Sequence, residues 1–240
     1  MNKRGSQVEM VISFMIFITF LFFVFAAAKN PFGIKNNKEG LLDYVDLQIQ
    51  ELASANLEIT TISILTPTAQ NCIELDEASS DLDIDSGFSK GSTGLNYNMY
   101  LSSVDPNDLR IIRTGISDNF IKVYSSPVFE PLQINSDACQ ILIPDVNYEI
   151  GFSKTQKYIF QDEVLSLISQ YPSSYETLKT NLKIPKGTNF GYGIKLANGT
   201  IFETHGEESS SNSVYISETP VFYVDEKGNV LMGYLRAKVW

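Results

Sequence analysis

Histidine is almost missing from this chain of 240 residues; His205 is the only one. That scarcity removes the usual general base and the commonest metal ligand. His205 lies in the polar run Thr204-His205-Gly206-Glu207-Glu208-Ser209 and reads as an exposed loop residue. The serines at 209–211 lack the strained turn that a nucleophilic serine needs. Cysteine is nearly as sparse. Cys72 and Cys139 have no partner at CxxC or CxxH spacing, so neither a zinc site nor a redox pair is expected. Positive charge is short as well: 18 Lys and Arg stand against 28 Asp and Glu, for a net charge of −10. A nucleic-acid partner is not expected of such a surface, because phosphate recognition gathers Lys and Arg.

Other chemical motifs are incomplete. Phe190-Gly191-Tyr192-Gly193-Ile194 holds a GxG without the third glycine or a phosphate-binding helix start, and it reads as an aromatic strand. Asp81-Leu82-Asp83-Ile84-Asp85 begins like a calcium loop, but Ser86 and Ser92 stand where such a loop needs Gly and Glu. The sequence assigns no catalytic residue, metal or cofactor, and the chain is read as a non-enzyme.

Aromatics are plentiful, with 12 Tyr and 15 Phe, which suits packing on a pleated sheet. The two cysteines have two readings: buried free thiols, or one disulfide, which requires an oxidising compartment.

Residues 10–28 carry no charge and no proline. As helix, ~19 such residues reach about 28 Å, close to the hydrocarbon thickness, so a single membrane-spanning helix is expected there. Three fates are open to it: an uncleaved anchor; a signal peptide cut after Ala26-Ala27-Ala28; or a leader cut before the apolar run.

The order Lys3-Arg4-Gly5-Ser6-Gln7-Val8-Glu9, followed at once by Met10-Val11-Ile12-Ser13-Phe14, resembles the archaeal class III signal peptide of type IV pilins and archaellins. The resemblance covers about the first 25 residues. It implies cleavage between Gly5 and Ser6 by a prepilin-type peptidase, with Glu9 as the acid that registers the helix. It also implies membrane lipid, copies of the chain itself or other pilins as partners. A carboxylate at the start of a lipid-buried helix is costly unless paired, and a new α-amino group nearby would pair with it. Two features depart from the pattern. Glu9 would be the fourth mature residue, one short of the spacing in bacterial pilins. Asn30-Pro31-Phe32-Gly33 would interrupt the helix that pilins continue as a filament spine.

Lysines flank both ends of the apolar run, so charge bias alone does not orient it. The signal-like leader places the C-terminal domain outside the cytoplasm. Asn198-Gly199-Thr200 is an acceptor sequon for glycosylation in a turn-like stretch.

The chain therefore divides into a basic leader at 1–9, a membrane helix at 10–28, a hinge at 29–38 and an extracytoplasmic β-rich domain at 39–240. Apolar spacings of three and four predict helices near 39–55 and 161–182, the second in two pieces around Pro172. Strands are expected at 58–65, 109–116, 119–124, 128–134, 140–143 and 146–152, with hairpins over the last fifty residues. Residues 76–94 read as an acidic loop. The fold class expected is α+β, a mainly antiparallel, sandwich-like domain behind an N-terminal transmembrane helix. The function expected is that of a pilin-like cell-surface structural protein. The alternative is a membrane-anchored binding or envelope protein that does not polymerise.

Overall fold

A computed structural model describes residues 12–21, 24, 37–66, 68, 70–113, 118–205 and 213–240. The leader residues Gly5, Ser6 and Glu9 and the hinge up to residue 36 lie outside the described residues.

The membrane-spanning helix expected over 10–28 has to be corrected. No helix among the described residues is long and apolar enough to cross a membrane. Helix is described at residues 12–21, here α1, and at residue 24. The transmembrane part of the expected fold class does not stand.

The remaining helices are α2 (Asn37–Leu52), the short α3 (Ala78–Asp81) and α4 (Gln161–Asn181). The strands are β1 (Ser54–Ile64), β2 (Cys72–Leu75), β3 (Gly87–Gly91), β4 (Asn96–Ser102), β5 (Leu109–Ile112), β6 (Phe120–Ser125), β7 (Ile134–Asn135), β8 (Gln140–Leu142), β9 (Tyr148–Phe160), β10 (Phe190–Lys195), β11 (Ile201–Glu203), β12 (Tyr215–Val224) and β13 (Val230–Val239). All thirteen belong to one sheet, in the order β11-β10-β13-β12-β9-β1-β6-β3-β4-β5-β2-β8, with β7 beside β4. The expected sandwich-like domain is one large sheet, paired mostly antiparallel, with two cores. The α+β character lies in how the helices cover part of it.

The first core joins α2 and α4 to β10, β12 and β13. Val45 and Ile49 of α2 and Val164 and Tyr171 of α4 meet Phe190, Tyr192, Ile194, Leu235 and Ala237. Alternation sends these strand residues to one face, since successive side chains point to opposite sides. Tyr171 donates its hydroxyl to the Phe190 carbonyl, and Tyr192 donates to the Leu167 carbonyl at 2.9 Å. These bonds fix α4 on β10. They help explain why α4 runs unbroken through Pro172, where two pieces were expected. A mid-helix proline costs about 3 kcal/mol in isolation, and the packed aromatics on either side of it offset that cost.

The second core lies inside a curl of the sheet. Ile62, Ile121 and Val123 face Ile73, Leu75, Met99, Leu109 and Ile111 across it, with Tyr148 at one end. Residues 65–147 therefore form an insertion between the long strands β1 and β9. A third, small cluster of Leu57, Phe160 and Val224 sits where the two halves join.

Several boundaries differ from expectation. The segment 128–134 is turn, with strand only at β7, and Pro131 makes an isolated bridge to Ser86. The acidic stretch 76–94 contains α3 and β3 as well as loop.

Candidate interaction surfaces

Three surfaces have chemistry left over after folding. The first is α1. Every residue from 12 to 21 is exposed, including Phe14, Phe17 and Phe20. Thr19 returns its hydroxyl to the Met15 carbonyl at 2.6 Å, so the one threonine of the helix is satisfied internally.

The second is the outer edge of β9. Along one side β9 pairs antiparallel with β1 from Tyr148 to Ile159. On the other side it meets β12 only at Ile159 and Phe160, in parallel with Tyr223 and Val224. The two strands part from there. Residues 149–157 are exposed at every position, on both faces of the sheet, and Phe152 is 74% exposed. A cleft of about 400 Å³ opens between the diverging strands, walled by Leu47, Glu51, Gln156, Lys157, Pro220 and Phe222. Lys157 and Glu51 pair across its rim at 2.7 Å, an exposed bridge of little energetic weight. A bare strand edge invites pairing with another chain, and proteins blunt such edges with lysine, proline and bulges. All three are present. Lys154 and Lys157 lie on β9, and Pro220 on β12 has no N–H to offer. Between Ser153 and Ile150, β9 advances three residues while β1 advances two, which is a bulge.

The third surface is the face of β12 and β13 turned away from the helices. Phe222 lies directly across from Met232, and both are more than half exposed. Beside them Arg236 joins Glu203 at 2.8 Å and Glu218 at 3.0 Å, and Lys238 joins Glu203 at 3.0 Å. Lys195 stands 5.7 Å over the Tyr234 ring. An apolar patch rimmed by paired charges has the composition of a contact surface.

The interior also holds buried charged groups. Arg110 bonds Glu74 at 2.6 Å with both side chains buried, and Ser102 donates to the same carboxylate at 3.2 Å. Burial, then the Glu74 carboxyl beside it and the nearby Asp105 and Asp76, push Asp108 above the usual carboxylate range. The backbone N–H of Glu77 opposes them. Asp118 goes the other way. Burial would raise it, but hydrogen bonds from Ser92 and Tyr97 and the Arg113 charge outweigh burial and hold it low. Burial and that same Asp118 carboxylate raise the Tyr97 hydroxyl to about 12. None of these groups lines the clefts described above.

The residues singled out in the sequence fall in separate places. Cys72 and Cys139 form a disulfide with Cα atoms 4.8 Å apart, joining the starts of β2 and β8. Asn198 is exposed at the tip of the β10–β11 hairpin. His205 is exposed just after β11. Among the described residues no group of His, Cys, Asp and Glu is arranged to hold a metal ion. The β9 edge went unread in the sequence because residues 153–157 are polar and show no alternation. No family model, no curated protein and no solved structure matches the chain.

Proposed function

We propose that this chain is a pilin-like structural protein of the cell surface, a subunit or minor component of a filament of that type. Its task is to assemble and to present the domain from residue 37 onward outside the cytoplasm. The observation that carries the reading is α1, an uncharged helix exposed around its whole circumference. Apolar surface of that extent is driven out of water against other apolar surface. Lateral packing on the same helix of neighbouring copies provides such cover. The Cys72–Cys139 disulfide supports a location outside the reducing cytoplasm. The leader order supports processing by a prepilin-type peptidase between Gly5 and Ser6, with Glu9 pairing the new amino group.

Terminal sequencing and intact mass of the mature protein test this. Ser6 should come first, with Glu9 retained. Phe17→Asp should leave the domain folded and reduce assembly sharply. A first residue at Lys29 would remove α1 and defeat the reading. An intact Met1 with no self-association would favour the second reading, a binding or envelope protein that does not polymerise. The cleft between β9 and β12 is the observation that favours that alternative.

A further inference from the structure

The β10–β11 hairpin ends in the chain's single Asn-x-Ser/Thr sequence, Asn198-Gly199-Thr200. Residues 197–200 are exposed in succession. The turn is well defined. Leu196 N–H bonds the Thr200 carbonyl at 2.8 Å, and Gly199 N–H bonds the Leu196 carbonyl at 2.9 Å. Gly199 takes the left-handed backbone, φ +84°, and no atom lies within 4 Å of where its side chain would be. Thr200 N–H donates to the Asn198 Oδ1 at 2.9 Å, which holds the amide by its oxygen at the outermost point of the hairpin. Beside Asn198 lies a groove of about 270 Å³ whose walls include Gln161, Tyr223, Asp225 and Lys227. The hairpin's second strand, β11, is also the last strand of the sheet, and its Ile201 and Phe202 are exposed on that open edge.

From these observations we infer that Asn198 is a glycan acceptor, and that the glycan stands over the open β11 edge. The step is a transfer from a lipid-phosphate- or lipid-diphosphate-linked saccharide. Nδ2 of Asn198 forms a bond to the anomeric carbon of the sugar. The bond from that carbon to the phosphate oxygen breaks, the lipid phosphate leaves with the electron pair, and Nδ2 gives up one proton to a base of the transferase. A bulky hydrophilic chain at this point covers an edge that would otherwise be open to strand pairing. The inference rests on the export part of the proposed function and is independent of filament assembly.

The test is secretion of the full chain from a host that glycosylates Asn-x-Ser/Thr sites, with intact mass measured alongside thiol labelling. The expected result is one added glycan, removed by peptide N-glycosidase with aspartate left at 198. Asn198→Gln and Thr200→Ala should each abolish the added mass, while Thr200→Ser should keep it. All three lie in an exposed turn, so each variant should still form the Cys72–Cys139 disulfide, which reports on folding and export separately. A secreted, disulfide-bonded chain that is bare at Asn198 would overturn the inference and leave the export reading intact. Added mass that survives Asn198→Gln would also overturn it. A chain that keeps both thiols free would overturn the export reading and the inference together.

Discussion

Lys90 donates from Nζ to the Oδ1 of Asn229 at 2.9 Å, and that bond spans 139 positions of sequence to tie the two halves of the sheet together. Lys90 is on β3 and is almost wholly buried. Its ammonium lies 5.4 Å from the Phe88 ring centroid and 5.1 Å from that of Tyr124. Asn229 belongs to the β12–β13 turn and is itself held by Asp225, which accepts from its side chain at 3.0 Å. Lys90→Met keeps the aliphatic stem but removes the donor and the cation over the rings. It should cost about 1–3 kcal/mol, measured by urea unfolding. A loss of a few tenths of a kcal/mol would mean that the apolar cluster of Leu57, Phe160 and Val224 carries the junction alone.

The same turn presses on Phe88. Gly228 has φ +67°, and a side chain there would come within 1.8 Å of the Phe88 ring. Gly228→Ala therefore meets both an unfavourable backbone region and a clash, and should destabilise by about 2–4 kcal/mol. In a Phe88→Leu background the clash shrinks, so the same change should cost at least about 0.5 kcal/mol less. Strict additivity of the two changes would show that the turn is displaced as a whole.

The junction also shows where the sequence was readable and where it was not. Val45 and Ile49 keep helical spacing in α2 because one stripe of that helix is buried on the sheet and the rest faces water. A one-sided environment imprints a period, and the expected helix near 39–55 followed from it. Strand β9 has no such imprint along residues 149–157, since both of its faces are open, and only Tyr148 and its last residues enter a core. Lys90 is the opposite case. Its charge points to the surface in any sequence reading, yet the side chain that accepts its hydrogen bond, Asn229, lies far along the chain. Pro172 predicts a break between two helical pieces, but the aromatic contacts of Tyr171 and Tyr175 with Phe190 overrule that local signal.

Asp46 on α2 is 6% exposed, and Thr219 of β12 lies beside it. Its Oδ2 accepts from the Gln50 side-chain amide at 3.0 Å. Burial raises its pKa above the ordinary 3.8, hydrogen bonds from Thr219 and Gln50 oppose the rise, and Asp43 adds to it. A carboxyl raised on folding favours the native state in its protonated form. Its contribution is greatest below the unfolded value and declines as pH rises through the raised one. Asp46→Asn should therefore stabilise the protein by about 1–2 kcal/mol at neutral pH. That gain should vanish in thermal melts at pH 3, where the wild-type carboxyl is already neutral. An equal gain at both pH values would assign the effect to packing rather than charge.

The disulfide closes a span of 67 residues and sits at the first residues of the second core's outermost strands. Cys72 opens β2, and Cys139 immediately precedes β8, which pairs in parallel with β2 from Ile73 opposite Gln140 to Leu75 opposite Leu142. β8 has three residues and, among the described residues, no strand on its other side, and parallel pairing is slightly weaker per residue than antiparallel. The covalent link therefore acts in two ways. It restricts the unfolded chain, worth about 3–4 kcal/mol for a loop of this length, and it pins a short strand that its own hydrogen bonds hold poorly. Cys72→Ser with Cys139→Ser should lower global stability by about that amount. In hydrogen exchange, protection at Ile141 and Leu142 should fall before that of any residue in β10, β12 or β13, whose core contains neither cysteine. Uniform loss of protection across both cores would show that the link acts only through the unfolded state. Unchanged exchange in β8 would show that Leu142, buried in the second core, anchors the strand unaided.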